Sequence, residues 1–252
     1  MNLRRCFPFH QLLFLLVFFV FVASRAPAQE KIVTKDGRMQ DVKILGVSGA
    51  NVQVQVGAGT IGMPLVSIAQ ITMAPPADFT LAMAAYQAKN YAKAQVSMLA
   101  VVNKYKGLPV DWAQQATMMV GDIYVSLNDL PKAEAAYKEF QRVYPGQGSA
   151  QADVGMARIA VAKKDFAAAK TKLEPIAEKA LKEKNVPADE AGIYSQAFYL
   201  LGQIKESEGD FSGALEDYLR TVTLFHQDRI AVGAAQERAD ALRKEHSGIA
   251  VP

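Results

Sequence analysis

Two hydrophobic rhythms divide this chain. Residues 30 to 75 hold short β-rich runs, and the clearest, Val52-Gln53-Val54-Gln55-Val56, alternates with a period of two, so valines face one way and glutamines the other. Lys31 to Lys35, Val42 to Val47 and Ile68 to Met73 are similar runs, punctuated by the turn residues Lys35-Asp36-Gly37 and Ser48-Gly49-Ala50-Asn51. Pro64 cannot donate to a strand ladder and suits an edge or corner. Four or five such strands predict a small all-β, barrel-like module over 30–75. It buries little surface alone and is expected to lean on the helices behind it.

From residue 77 to 246 the period changes to that of helices, with Pro75-Pro76 at the boundary. The stretch Trp112 to Pro145 reads as two helices meeting at a sharp turn. Met118, Gly121, Ile123 and Tyr124 lie on the first, Leu130, Ala133, Tyr137 and Phe140 on the second, and Pro145 ends it. Gly121 and Ala133 are small where two helices approach closely. Such a hairpin is apolar on more than one face and needs neighbours of its own kind.

Those neighbours are written in the chain. A polar step, an aromatic or leucine, and an alanine recur as Asn90-Tyr91 with Ala94, Asp129-Leu130 with Ala133, Asp165-Phe166 with Ala169, and Asp210-Phe211 with Ala214, at spacings of 39, 36 and 45 residues. Eight residues before each step is a small residue (Ala82, Gly121, Ala157, Gly202). Four after each alanine is a large one (Met98, Tyr137, Leu173, Tyr218).

This register resembles the tetratricopeptide repeat (TPR). Gly121, Tyr124, Ala133, Tyr137 and Pro145 match its pattern in one unit, and Gly202, Phe211, Ala214 and Tyr218 in another; there Lys205 stands for the usual tyrosine and His226 for the proline. The units around Ala82 and Ala157 are degenerate. No unit has the usual tryptophan, and Trp112 sits early in its helix. The 30–75 segment resembles SH3-like or Sm-like barrels in size and strand pattern. Taken together, the resemblance implies a mainly α fold, a right-handed αα-hairpin superhelix, preceded by the β module. Its units are 77–106, 111–145, 149–185 and 189–226, with a capping helix over 229–246. Gly107-Leu108-Pro109 lengthens one inter-unit loop, Pro175 is expected to kink a long helix, and Pro187 to break it.

A TPR array implies a concave face lined by the first helix of each pair. Gln87, Gln114, Met118, Tyr124, Asp153, Arg158, Tyr194, Phe198 and Lys205 are the candidates to point there, although each also reads as core or ordinary surface. The Met118-Met119 pair, for instance, suits core filling as well as an adaptable groove.

Other chemistry recedes on inspection. Gly57-Ala58-Gly59-Thr60-Ile61-Gly62 spells a dinucleotide fingerprint, but that site needs a helix starting at the glycines, and Met63-Pro64-Leu65 stands there instead. The glycines therefore read as a tight turn. His226 and His246, the only histidines after residue 28, have no nucleophile or metal context. The pairs Asp189-Glu190 and Glu206 with Glu208 and Asp210 fall around helix ends, where capping explains them. No catalytic, cofactor or metal site is expected.

Residues 1–28 read as an export signal: Arg4-Arg5, an apolar run from Leu12 to Ala23, then Ala26-Pro27-Ala28 before Gln29. Removing them takes Arg4, Arg5 and Arg25, changing the formal charge from +3 to 0, and takes Cys6, the one cysteine. A neutral body without a basic stripe argues against nucleic acid. The expectation is a non-enzymatic exported adaptor, periplasmic or secreted, holding a protein or peptide partner. This is similar in arrangement to envelope TPR proteins of the cell-division, outer-membrane-assembly and secretion machineries. Membrane association would require an uncleaved Leu12–Ala23 anchor or a membrane partner. The alternatives are a self-associating structural envelope protein (a homo-oligomer) and an enzyme-associated or enzymatic protein.

Overall fold

The computed structural model describes residues 30–187 and 190–249. The segment read as an export signal, Asp189 and the final three residues lie outside them. Six strands come first: β1 (Lys31–Thr34), β2 (Met39–Asp41), β3 (Lys43–Ser48), β4 (Asn51–Val56), β5 (Gly59–Pro64) and β6 (Ile68–Thr72). They form two antiparallel three-stranded sheets, ordered β2-β1-β6 and β3-β4-β5. Val52 and Val54 are buried, as the alternation requires.

The barrel expected from the strand pattern does not close. The reason lies at the two crossings between sheets. Between β2 and β3, the N–H of Val42 turns to the carbonyl of Glu30 (3.0 Å), and Ile44 N–H is taken by the Glu30 carboxylate. After β5, Pro64 has no N–H to give, and a 3-10 turn over Leu65–Ser67 intervenes before β6. Neither crossing carries a ladder from one sheet to the other. Gly57, at φ 59°, sits in the turn of the β4–β5 hairpin, so the fingerprint-like glycines enter a strand and not a helix.

Among the described residues every regular element after Pro76 is a helix: α1 (Ala77–Gln87), α2 (Tyr91–Tyr105), α3 (Asp111–Ser126), α4 (Leu130–Val143), α5 (Ser149–Ala162), α6 (Phe166–Lys182), α7 (Ala191–Ser207), α8 (Phe211–Thr223) and α9 (Arg229–Glu245). Each helix packs on the next in sequence. The recurring polar steps are one turn built four times. Lys89, Asn128, Lys164 and Gly209 adopt left-handed backbone (φ 57°, 59°, 61° and 84°). The next residue's N–H then reaches back five residues, as from Asp129 to the carbonyl of Tyr124 (2.9 Å). That same residue caps the following helix: Asn90, Asp129, Asp165 and Asp210 accept from the N–H groups of Lys93, Lys132, Ala168 and Gly213.

The small and large positions are matched within each pair. A Cβ on Gly121 would stand 2.4 Å from the ring of Tyr137, and one on Gly202 would stand 2.6 Å from Tyr218. Where the large partner is Met98 or Leu173, the small residue is Ala82 or Ala157, and all four are fully buried. A flat ring demands glycine; a narrower aliphatic chain leaves room for one methyl. α6 continues through Pro175 to Lys182.

Trp112 joins the β region to the helices. Its indole Nε1–H donates to the carbonyl of Met73 (2.9 Å), and its ring packs edge-on to Tyr105 at 5.2 Å. Gly46, at φ 150°, lets β3 approach the last turn of α2, since a Cβ there would meet the Lys104 carbonyl oxygen at 2.6 Å. One apolar core therefore runs from Ile32 in β1 to Ile123 in α3.

Candidate functional site: a groove along the odd-numbered helices

The odd-numbered helices touch one another in order, α1 to α3 to α5 to α7 to α9. Side chains from all five, with Tyr91 at the start of α2, line one cavity of about 640 Å³. Met83, Tyr86, Met119, Val125, Tyr199 and Leu200 form its apolar walls, and Ile230, 79% exposed, stands at one end.

A chain of polar groups crosses the floor. The Tyr137 hydroxyl donates to Asp122 Oδ1 (2.7 Å), and Arg158 Nη1 reaches the same oxygen at 3.4 Å. Arg158 Nη2 donates to Gln196 Oε1 (2.6 Å), whose amide Nε2 donates to Asp228 Oδ2 (2.6 Å). Asp228 uses its other oxygen to cap α9, accepting from Ile230 and Ala231 N–H (2.9 and 3.0 Å). The relay thus links five helices through side chains. Burial pushes the Asp122 carboxyl above its ordinary value, with Arg158 and the Tyr137 hydrogen bond opposing, and Asp228 adding to the rise. Burial also raises the Tyr86 phenol, and the Asp122 carboxylate raises it further.

Of the residues singled out from sequence, Gln87 and Arg158 line this groove. Met118, Tyr194 and Phe198 are buried in the core; Phe198 stacks on Phe225 with ring centroids 5.1 Å apart. Tyr124 is half-buried, with Lys132 Nζ 5.6 Å from its ring centroid. Gln114 is half-buried outside the lining, and Asp153 pairs with Lys172 (3.0 Å) away from it. Lys205 lies 2.7 Å from Asp217 Oδ2, a buried acid of α8 that also binds Arg220 (2.8 Å). The differences are rotations about helix axes. Gln115 and Met119 line the groove where Gln114 and Met118 do not, and one residue turns a helix by about 100°.

Asp122, Gln196, Tyr199, Gln203 and Asp228 went unmarked by sequence reasoning. A signal was present: Gln115, Met119, Asp122 and Ser126 follow i, i+4, i+7, i+11, and Gln196, Tyr199, Leu200 and Gln203 follow i, i+3, i+4, i+7. Each is a mixed stripe beside the fully buried one. Only packing shows which stripe faces the hollow.

His226 is exposed and outside the groove lining, and His246 stacks on Phe211 at 3.8 Å. Glu206, from the acidic run at the end of α7, is bound by the Tyr218 hydroxyl (2.7 Å) and by Arg238. Among the described residues no group of three or more His, Cys, Asp or Glu is placed to hold a metal ion, and no helix is long and apolar enough to cross a membrane. No protein-family model matches the chain, and no curated protein matches it.

Proposed function

We propose that the chain is an exported TPR-type adaptor whose stacked helix pairs hold an extended segment of a protein partner in the groove. The observation that carries this reading is the single hollow reached by side chains from α1, α3, α5, α7 and α9. A surface shared by every repeat suits a ligand bound through many modest contacts along its length. The four recurring turns support a repeat array, because each joins two helices through the same left-handed residue and the same cap. The basic, apolar and small-residue order of residues 1–28 supports export.

The test places a photo-crosslinking residue at Gln115 or Gln203 in the groove, or at Val96 on α2, in the full-length chain. The expected outcome is a discrete partner captured from the groove positions and lost when Ala234→Trp, at a half-buried lining position, fills the hollow. Capture from Val96 alone, or none from any position, refutes the reading. A second reading, self-association, is favoured by Val56 and Ile61 on the β4–β5 hairpin, 50% and 48% exposed. Sedimentation velocity at two concentrations tests it.

A further inference from the structure

We infer that the groove receives a basic side chain of its partner, a lysine or arginine, with Asp122 as the counter-ion. This rests on the partner-binding reading and specifies its chemistry. Among the described residues, the charged ones lining the hollow are Asp122, Asp228 and Arg158, so they carry one more negative than positive charge and include no lysine. Arg158 directs one guanidinium nitrogen to Asp122 and another to Gln196. Asp228 has both oxygens engaged, one with Gln196 and one with the first N–H groups of α9. Asp122 differs. Its Oδ1 takes both Tyr137 and Arg158, while its Oδ2 receives no hydrogen bond among the described residues.

The Asp122 side chain is 21% exposed, so this oxygen opens on the hollow, and a cation or donor brought by a guest can complete the carboxylate. The surrounding walls suit the same guest. Tyr86, Tyr91 and Tyr199 line the hollow with aromatic rings, which attract a guanidinium or ammonium, and Met83, Met119 and Val125 offer apolar surface to its aliphatic stem. An acidic side chain would meet two carboxylates, and an apolar one would leave Oδ2 without a partner in a drier site.

Random peptides displayed on phage and selected on the immobilised full-length chain test this. The parent, Asp122→Asn and the groove-filled Ala234→Trp variant are compared. Peptides retained by the parent are expected to share one lysine or arginine position. Changing that residue to methionine in a synthetic peptide should weaken binding roughly tenfold. Asp122→Asn should still retain peptides but show no basic preference. Enrichment of acidic residues, enrichment with no charge preference, or the same methionine penalty on Asp122→Asn overturns the inference while leaving a peptide groove intact. Retention no better than by Ala234→Trp overturns the groove reading itself. The methionine substitution is measured on the parent, so the inference stays falsifiable even where Asp122→Asn folds poorly.

Discussion

Replacing Gly121 by alanine sets two effects of opposite sign against each other. Inside a helix, alanine is better than glycine by about 1 kcal/mol. Here the new methyl would stand 2.4 Å from Tyr137 Cε1. The ring cannot retreat, because a Cβ on Gly155 would meet it from α5 at 2.4 Å too, and its hydroxyl is tied to Asp122 at 2.7 Å. Overpacking costs about 1–3 kcal/mol, and a ring held on three sides belongs at the upper end. The net expectation for Gly121→Ala is a loss of roughly 1–2 kcal/mol. Gly233 in α9 has nothing among the described residues within 4 Å of the place a methyl would take, so Gly233→Ala should gain about 0.5–1 kcal/mol. Urea unfolding followed by far-UV circular dichroism measures both. The units with Ala82–Met98 and Ala157–Leu173 show the compensation, so Tyr137→Leu in the Gly121→Ala background should recover part of the loss. The reasoning is refuted if Gly121→Ala is as stable as Gly233→Ala, or if the double-mutant cycle is additive within about 0.5 kcal/mol.

Three further outcomes are expected. Trp112→Phe leaves the Met73 carbonyl without its indole donor and should cost about 1–3 kcal/mol, read in the same urea titration. The Ser195 hydroxyl is fully buried without a hydrogen-bond partner among the described residues, so Ser195→Ala should leave the thermal midpoint unchanged or higher; a clear drop would mean that the hydroxyl is satisfied. Among the shifted carboxyls, two contribute to the pH dependence with opposite sign. Glu134, between Lys138 and Lys163, is held down to about 2, so its contribution is present above the ordinary value of 4.5 and is lost as pH falls toward 2. Asp122 is raised above 3.8, so the native state holds its proton longer than the unfolded chain, and ionisation weakens the fold as pH rises through that range. Stability of the parent relative to Asp122→Asn should therefore decline as pH rises from about 4, and a rise would contradict the burial of Asp122.

Much of the helical architecture was legible because its causes are local. The caps Asn90, Asp129, Asp165 and Asp210 and the matched Gly121–Tyr137 and Gly202–Tyr218 positions act over one turn or one hairpin, and their residue types are visible in the string. The β region was legible only where side chains alternate. β2 is three residues long, and β5 carries glycine and proline, so neither announced itself as Val52 to Val56 did. Closure into a barrel depends on whether the crossings at Val42 and Pro64 carry a ladder, which no alternation records.

By itself, the sequence determined where the chain turns, which residues cap helices and which small residue must face which ring, because each is settled within a few residues. Only the tertiary structure decided which stripe of each odd helix meets the hollow. That choice depends on how each helix is rotated against its neighbours, and a shift of one residue exchanges Gln114 for Gln115 and Met118 for Met119. The relay from Tyr137 through Asp122, Arg158 and Gln196 to Asp228 joins residues from four helices and the N-cap of a fifth, and its hydrogen bonds exist only once those helices are stacked.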